Sequence, residues 1–471
     1  MKGLSFAHRL ELFGDAIALR LPDHSTISYR QLAKLADQYS STLNKVVPKH
    51  SLLALRFSST LSAVVAYLAA LRCGKALLLL APDLGDSQTL ALVERLQIAA
   101  VIQSSGEIQL TSNQHTSCQQ KVRPDCALLL STSGSSGSPK SVMLSLQNIE
   151  ANARAICDYL PIESTDTAIT ALPLHYSYGL SVLNSHLYQG ASILLTEAPL
   201  MSKDFWQQTR DFHISSLHGV PFSYQLYRQL RLERMPRPAL RYLTQAGGKL
   251  NSSLTDYVQQ LSSTLQKPVY LMYGQTEATA RIAYLPPKLI QQYADCIGKP
   301  IPGGELLLRD PITKELITED FTEGELCYRG PNVMLGYASC ADDLTSTSVL
   351  TELSTGDLAE RLPNGLYRIV GRLSRFLKIQ GKRLQLDHLE QQLSVLTDPV
   401  CCAGTDDLLV VAYTQQEPEL TEQIQQLLRE QLQLHPALYK ILQLDALPVL
   451  SNGKADYQTL LLLATESSHA N

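Results

Sequence analysis

Apolar and polar positions along the first 275 or so residues follow two alternating periods. Residues 28–43 place Leu, Ala and Tyr at helical spacing, and Leu52–Phe57 is a short, nearly unbroken apolar run of strand length. A helix is expected near Ser59–Arg72; Gly74 stops it, and Ala76–Leu80 is again strand-like. Further buried strands are predicted at Ala99–Gln103, Cys126–Leu130, Ala168–Ala171, Ala191–Leu195 and Pro268–Met272, with helical stretches between them. Apolar strands alternating with helices imply an α/β fold built on parallel sheets.

The texture changes from about residue 297 to 370. Short strands such as Glu325–Tyr328 and Leu366–Val370 lie between Gly, Pro and Asn turns, as in a small β unit. Beyond Gly371 a compact region contains the strand-like Leu408–Tyr413 and an amphipathic helix over Leu420–Leu432, which reads as a small α+β domain. The expected fold class is therefore α/β, with a large N-terminal domain of stacked α/β sheets plus a small β unit (residues 1–370). A small α+β C-terminal domain follows (residues 371–471), and the junction lies near 370–375.

Composition narrows the setting. At 471 residues, 45% hydrophobic and 18% charged, the chain can bury a large core. A net charge of −4 argues against a nucleic acid partner. The nine cysteines form no Cys-x-x-Cys pair, so free buried thiols in a reducing compartment are expected. The start, Met-Lys-Gly-Leu-Ser-Phe, lacks the apolar core of a signal peptide. The most apolar stretch, Ala63–Pro82, is interrupted by Arg72 and Lys75, so no integral membrane segment is expected and a cytoplasmic location follows.

Chemistry enters with Leu128-Leu-Leu-Ser-Thr-Ser-Gly-Ser-Ser-Gly-Ser-Pro-Lys140. An apolar strand feeds a loop in which Gly134 and Gly137 free backbone N–H groups to face an anion. Ser131, Thr132, Ser133, Ser135 and Ser136 add hydroxyl donors, and Lys140 adds a point charge. The run is not a Walker A loop, and the strand before it argues against a flexible linker. Next comes Tyr273-Gly-Gln-Thr-Glu277 after another apolar run. Tyr273 can cover an adenine face, Thr276 can bond a phosphate oxygen and Glu277 can hold Mg²⁺. Thr355-Gly-Asp357 presents a carboxylate suited to ribose hydroxyls; Gly371-Arg372 and Leu447-Pro-Val-Leu-Ser-Asn-Gly-Lys454 follow in order.

In that order these segments resemble the adenylate-forming superfamily of acyl-CoA synthetases, peptide-synthetase adenylation domains and firefly luciferase. Ser131–Lys140 is similar to its phosphate loop, Tyr273–Glu277 to its adenine and magnesium motif, and Gly324–Tyr337 to the motif that follows. Thr355–Asp357 resembles the ribose motif, Gly371–Arg383 the hinge, and Gly453-Lys454 the C-terminal catalytic lysine; Ile297–Gly303 and Gly74–Pro82 also fit. The resemblance implies an ATP- and Mg²⁺-dependent enzyme that joins a carboxylic acid to AMP and then passes the acyl group to a thiol, on coenzyme A or on the phosphopantetheine of an acyl carrier protein. It implies that Thr132, Ser133, Gly134, Ser135, Ser136, Gly137 and Lys140 hold the β- and γ-phosphates. Gly247, Gly248 and Lys249, with Tyr273, Gly274 and Gln275, would surround adenine. Glu277 would ligate the metal beside Thr276, Asp357 and Arg372 would grip ribose, and Lys454 would bridge the acid and the α-phosphate. The mobile C-terminal domain would then rotate about Ser374 and present the Lys378–Leu384 segment, with Lys378 acting in the second half-reaction.

Some positions depart from the family pattern. Ser374 replaces a usual Asp or Lys, Ser141 a usual Gly, and Tyr457 a basic residue. In Leu172-Pro-Leu-His-Tyr-Ser-Tyr-Gly-Leu180 the usual histidine falls on Tyr176, and His175 takes the aromatic place as a lining residue without a proton-transfer role. Tyr176 supplies no charge for a substrate ammonium, which disfavours an α-amino acid. The expected pocket of Tyr176, Tyr178, Asn184, Val220, Pro221, Gly247 and Tyr273 is apolar and aromatic, suiting an aryl or fatty acid. With no carrier domain expected after Lys454, a free-standing ligase is implied. Three rivals are an amino-acid-activating adenylation enzyme that loads a carrier protein, a degenerate nucleotide binder and a luciferase-type oxidase. The intact Lys140, Glu277, Asp357, Arg372 and Lys454 speak against the degenerate form, and nothing beyond one tryptophan suggests the oxidase.

Overall fold

Strand side chains divide by parity. Leu53, Leu55, Leu77 and Leu79 belong to one apolar cluster, while Leu52, Ala54, Ala76, Leu78 and Leu80 belong to another. Successive strand residues face opposite sides, so both faces of this sheet are covered, as its unbroken apolar runs require. In the computed structural model, residues 5–111, 122–131, 140–373, 375–379, 382–405, 407–417, 419–430, 432–449 and 455–466 are described. The sheet has seven strands, with Cys126–Ser131, Ala76–Leu80, Leu52–Arg56 and Ala100–Ile102 parallel at its centre. Ile108–Leu110 adds antiparallel at one edge, Ser141–Ser145 and then Gly336–Ala338 at the other.

A second, nine-stranded sheet is built on a parallel run of Val269–Tyr273, Tyr242–Gln245, Ser216–Gly219, Thr167–Ile169, Ser192–Leu194 and Ile17–Arg20. Its Ala168 and Ile193 join the first cluster, and Ile169, Leu194, Leu217, Leu243 and Leu271 join a third. Two helices, Leu61–Arg72 and Ser177–Gln189, are buried along almost their whole length and share that first cluster with the inner faces of both sheets. The Tyr67 hydroxyl on one donates to Asn184 Oδ1 on the other at 3.1 Å. Residues 305–372 form a five-stranded antiparallel sheet, ordered Leu316–Ile317, Glu305–Arg309, Gly324–Arg329, Leu353–Arg361, Tyr367–Arg372.

The α/β class holds, and the differences lie at element ends. The first long helix runs Tyr29–Val46 behind a Ser28/Gln31 capping box. The helix expected from Ser59 begins at Leu61, because Thr60 caps it by accepting from the Ala63 N–H. The strand expected over Ala168–Ala171 ends at Ile169. Past that point the Thr170 hydroxyl, donating to the Thr196 carbonyl and accepting from the Thr196 N–H, replaces the ladder. Among the described residues no helix is long and apolar enough to cross a membrane, and eight cysteines are free thiols.

After Arg372 the chain builds a separate set of apolar clusters, drawn only from residues 377–464. They join the hairpin Phe376–Ile379/Lys382–Gln385, the three-stranded sheet Val400–Thr405, Leu408–Tyr413, Tyr439–Gln443, and the helices Leu386–Leu393, Leu420–Glu430 and Tyr457–Glu466. Arg375 is the polar pin of this region. It donates to Glu390 at 2.7 and 3.0 Å, to Asp387, and to the Cys402 carbonyl at 2.8 Å, and its guanidinium lies 4.1 Å from the Tyr457 ring centroid. Tyr457, a departure from the basic pattern, is thus a platform for a cation. Removing one member of a largely buried ionic network leaves charges uncompensated, at a cost of ~2–4 kcal/mol. Arg375→Ala is therefore expected to lower hydrogen-exchange protection of Leu408–Tyr413 while leaving Val269–Tyr273 unchanged; equal loss in both strands would show that the two regions unfold together.

Candidate active site

The carboxyl ends of three neighbouring parallel strands carry most of the chemistry. Ser216–Gly219 leads to Val220 and Pro221, Tyr242–Gln245 to Gly247 and Gly248, and Val269–Tyr273 to Gly274 and the single turn Thr276–Ala278. Crevices at such ends are where open α/β sheets take ligands. Gly274 allows this turn to fold back tightly, since a Cβ there would lie 2.0 Å from the Ala280 carbonyl oxygen. The turn and the residue after it are tied to Gly324–Tyr337 by hydrogen bonds that include Met334 N–H to the Glu277 carbonyl at 2.8 Å, the Thr279 hydroxyl to the Asn332 carbonyl at 2.8 Å, and Asn332 Nδ2 to the Ala278 carbonyl at 2.8 Å.

Lys140, Tyr337 and Glu277 meet beside this turn. Tyr337 pairs with Val142 across the sheet, its hydroxyl donates to Glu277 Oε1 at 2.9 Å, and Lys140 Nζ is 5.7 Å from its ring centroid. Burial, then the Glu277 charge, push the Tyr337 hydroxyl well above its ordinary pKa, so it stays a donor. The Thr276 hydroxyl reaches Ser177 Oγ at 3.4 Å. Ser141, found where a glycine is usual, opens a strand, buried and paired with both Ser131 and Ala338.

Asp357 is the second centre. It is buried, accepts from the Tyr273 hydroxyl at 2.5 Å on Oδ2 and from Arg372 Nε at 2.8 Å on Oδ1, and faces Arg372 directly across the antiparallel pair. Gly356 beside it has φ +74°, a left-handed turn that favours glycine. Asp357 pushes the Arg372 pKa up, and burial, then Asp357, push the Tyr273 hydroxyl up. A carboxylate has about four lone-pair sites, so two remain for the hydroxyls of a sugar.

Gly247, at φ +87°, sits where a Cβ would lie 3.0 Å from the Tyr176 hydroxyl and 3.1 Å from Val220 Cγ1; at Gly248 it would lie 3.0 Å from Pro221 Cγ. A side chain at either position would crowd these neighbours. Lys249 is exposed, and Gln245 Nε2 donates to the Gly248 carbonyl at 2.9 Å. Thus Tyr176, Val220, Pro221, Gly247, Gly248 and Tyr273 gather, with Gly274 and Gln275 at the turn. Asn184, expected in the pocket, instead gives its oxygen to Tyr67. His175 is partly buried, and burial lowers its pKa. Lys378 lies on the strand Phe376–Ile379. Thr132, Ser133, Gly134, Ser135, Ser136, Gly137, Ser374 and Lys454 lie outside the described residues.

On the same strands, below their carboxyl ends, lies a small cavity whose polar lining comprises Ser181, Ser185, His218, Thr244 and Arg281. Tyr178 is buried over it, its hydroxyl 2.7 Å from Thr244 Oγ1 and its ring centroid 4.0 Å from the Arg281 guanidinium. None of these five was singled out from sequence. The available signal was a lone charge, Arg281, within the otherwise apolar Ala278–Leu285.

Residues 6–338 match the family described as AMP-binding enzyme. The chain belongs to this family. This AMP-binding enzyme is 26% identical to tyrocidine synthase 2 of Brevibacillus parabrevis over 95% of its own length but 13% of that protein. It is 26% identical to 2-succinylbenzoate–CoA ligase of Staphylococcus epidermidis over 70% of the chain and 68% of that protein, and 27% identical to oxalate–CoA ligase of Arabidopsis thaliana over 59% and 54%. In fold it is similar to o-succinylbenzoate CoA synthetase of Bacillus subtilis in complex with an acyl-adenylate intermediate, with TM-score 0.79 at 20% identity over 97% of each chain. ATP-bound MatB of Rhodopseudomonas palustris gives 0.77 at 20% identity over 99% and 100%. These likenesses extend the shared architecture past residue 338, into the region that carries Asp357 and Arg372.

Gly274→Ala in this AMP-binding enzyme would force the turn away from the Ala280 carbonyl, at a cost of ~1–3 kcal/mol. The expected result is a lowered melting temperature together with weaker ATP binding in calorimetric titration. Unchanged ATP affinity would show that the turn is not part of the nucleotide site.

Proposed function

We propose that this AMP-binding enzyme is an ATP-dependent carboxylate ligase. It forms an acyl-adenylate and pyrophosphate, then transfers the acyl group to the thiol of coenzyme A or of a carrier protein's phosphopantetheine. The observation that carries the reading is the joining, through one turn, of the Lys140–Tyr337–Glu277 cluster to the Tyr273–Asp357–Arg372 cluster. The two relatives named as CoA ligases support the acid and thiol assignment.

In the first half-reaction a carboxylate oxygen of the acid bonds to the α-phosphorus of ATP as the bond to pyrophosphate breaks. Both reactants are anionic, so fixed cations and donors must offset their repulsion and the charge gathering at phosphorus. Lys140 and residues 132–137 take the β- and γ-phosphates, and Asp357 with Arg372 takes ribose. Tyr273, Gly247 and Gly248 take adenine, and Lys454 bridges the acid and the α-phosphate. The Glu277 carboxylate, held by Tyr337 beside Lys140, suits Mg²⁺, which when bound neutralises phosphate charge. In the second half-reaction the thiol sulfur bonds to the acyl carbon and AMP leaves, with Lys378 on the presented segment.

Residues 1–370 and 371–471 are assigned to two domains with Ser374 as the hinge. Support comes from the opposed anchoring of Arg372 on Asp357 and of Arg375 on Glu390 and Asp387. A cytoplasmic setting is part of the same reading, supported by the free thiols. The rim of Tyr176, Val220 and Pro221 favours an aryl or aliphatic carbon skeleton next to the reacting carboxyl. An α-amino acid is disfavoured, because the charged group deeper in the pocket is a cation.

A pyrophosphate-release screen over carboxylic acids, with and without coenzyme A, tests the reading; release that no acid stimulates would end it. Lys454→Ala should lower acyl-AMP formation by about 10²–10³-fold while sparing thioester formation from supplied acyl-AMP. Equal loss in both would show that one lysine serves both steps or that the fold is damaged. Asp357→Ala should weaken equilibrium ATP binding, and unchanged affinity would remove it from the ribose site.

A further inference from the structure

Among the described residues, other buried cations have two or more polar partners outside their own turn. Lys75 donates to the carbonyls of Val47 and Pro48, Arg56 to Asp86, Thr89, Pro82 and Leu84, and Arg123 to Asp125, Ser346 and Ser348. Arg281 differs. It is 4% exposed and makes no ion pair among the described residues; its Nη1 donates to its neighbour's carbonyl, on Ala280, at 3.3 Å, its guanidinium is hydrogen-bonded to the Tyr159 phenol, and its buried Nε has no hydrogen-bond partner. The Tyr178 ring at 4.0 Å, with the Tyr159 phenol nearby, offers partial compensation. A guanidinium is always charged, and an unmatched charge in the interior costs several kcal/mol.

Arg281 lines the small cavity below the strand ends and acts electrostatically on Tyr176, and the other polar groups of that cavity are neutral. The Ser181 and Ser185 hydroxyls already donate to the carbonyls of Tyr178 and Val182. His218 is bonded at both nitrogens, to Ser216 and Thr244, and burial with the nearby His186 and Arg281 holds its pKa well below the usual value. The cavity therefore has one positive charge, compensated only in part, and no anion facing it. It also lies on the strands of the candidate site: Thr244 on Tyr242–Gln245, which leads to Gly247, Met272 on Val269–Tyr273, and His218 on Ser216–Gly219, which leads to Val220.

We propose that Arg281 is a specificity-determining residue that binds a second carboxylate, at the far end of the acid this enzyme activates. The substrate class is thus a dicarboxylic acid, with one carboxyl at the strand ends and the other on Arg281. The guanidinium fork matches a carboxylate in a bidentate pair, and its free Nε supplies one of the two donors. An unsubstituted fatty tail would leave this charge buried and unanswered. The inference rests on the ligase reading for the nature of the ligand, since it takes the bound molecule to be a carboxylic acid.

The test pairs each of a set of straight-chain dicarboxylic acids and benzenedicarboxylic acids with its monoamide, which keeps the shape and removes the distal charge. Binding is followed by calorimetric titration and turnover by pyrophosphate release. A dicarboxylate should bind roughly 10- to 100-fold more tightly than its monoamide. Arg281→Gln should abolish that preference with ATP affinity unchanged, and Arg281→Lys should keep part of it. If Arg281→Gln does not fold, the wild-type preference and the lysine variant decide. Stronger binding of monoamides, a preference that survives Arg281→Gln, or no binding of any dicarboxylate overturns the proposal. Arg281-dependent dicarboxylate binding without pyrophosphate release would uphold it while ending the ligase reading. Release driven equally by apolar monocarboxylates, and unaffected in Arg281→Gln, would do the reverse.

Discussion

The buried Asp357 carboxylate is the joint on which the candidate site depends. A carboxylate out of water needs partners, and its two come from different layers: the Tyr273 hydroxyl from the end of the nine-stranded sheet, and Arg372 from the adjacent strand of the five-stranded sheet. One charge thus ties the two sheets together at the site, beside the bridge between Gly298 and Tyr367 and the Arg368–Asp295 ion pair. It also fixes the depth of Tyr273, and through Gly274 the position of the turn bearing Thr276 and Glu277. The same turn is gripped from its other side by Asn332 and Met334, so the Gly324–Tyr337 segment serves less as a ligand surface than as a clamp.

Much of the fold was legible because its central strands are buried on both faces. Ala76–Leu80 reads as a strand of five residues and is one, since an unbroken apolar run bounded by Gly74–Lys75 and Pro82 has few other solutions. Ser141–Ser145 was not legible: serines at both ends hide a strand whose five residues are all buried by its neighbours. The site followed the same division. Tyr273, Glu277, Asp357 and Arg372 belong to short ordered motifs, where local sequence carries the signal. Asn184 looked like a pocket residue, but its oxygen is consumed by Tyr67, more than a hundred residues away in sequence. The weight of Arg281 was hidden for the same reason. A charge in an apolar run is visible, but whether it is matched depends on every element packed around it.

The two ends of the candidate pocket obey opposite rules. At the rim, glycines at 247 and 248 and the rings of Tyr176 and Tyr273 leave shape to discriminate, which is a weak filter for apolar groups. Inside, hydroxyls with their protons already committed and a histidine held neutral surround one cation. A buried polar site rejects the wrong partner strongly, because failure to pair leaves a desolvated group behind. Discrimination in such a pocket therefore comes from its depth.

The proposed hinge follows the same logic of matched charge. Arg372 and Arg375 are three residues apart in sequence, yet each guanidinium is satisfied within its own surroundings: the first on Asp357, the second on Glu390, Asp387 and the Cys402 carbonyl. The proposed rotation between them would break neither pairing; it would break smaller contacts, such as the hydrogen bond from the Arg375 N–H to the Arg372 carbonyl and that from Asn251 Nδ2 to Asp398 at 2.9 Å. A charged side chain at the pivot would have to choose a partner on one side. With arginines anchored in opposite directions on either side, the proposed hinge at Ser374 would carry no charge of its own to favour one side.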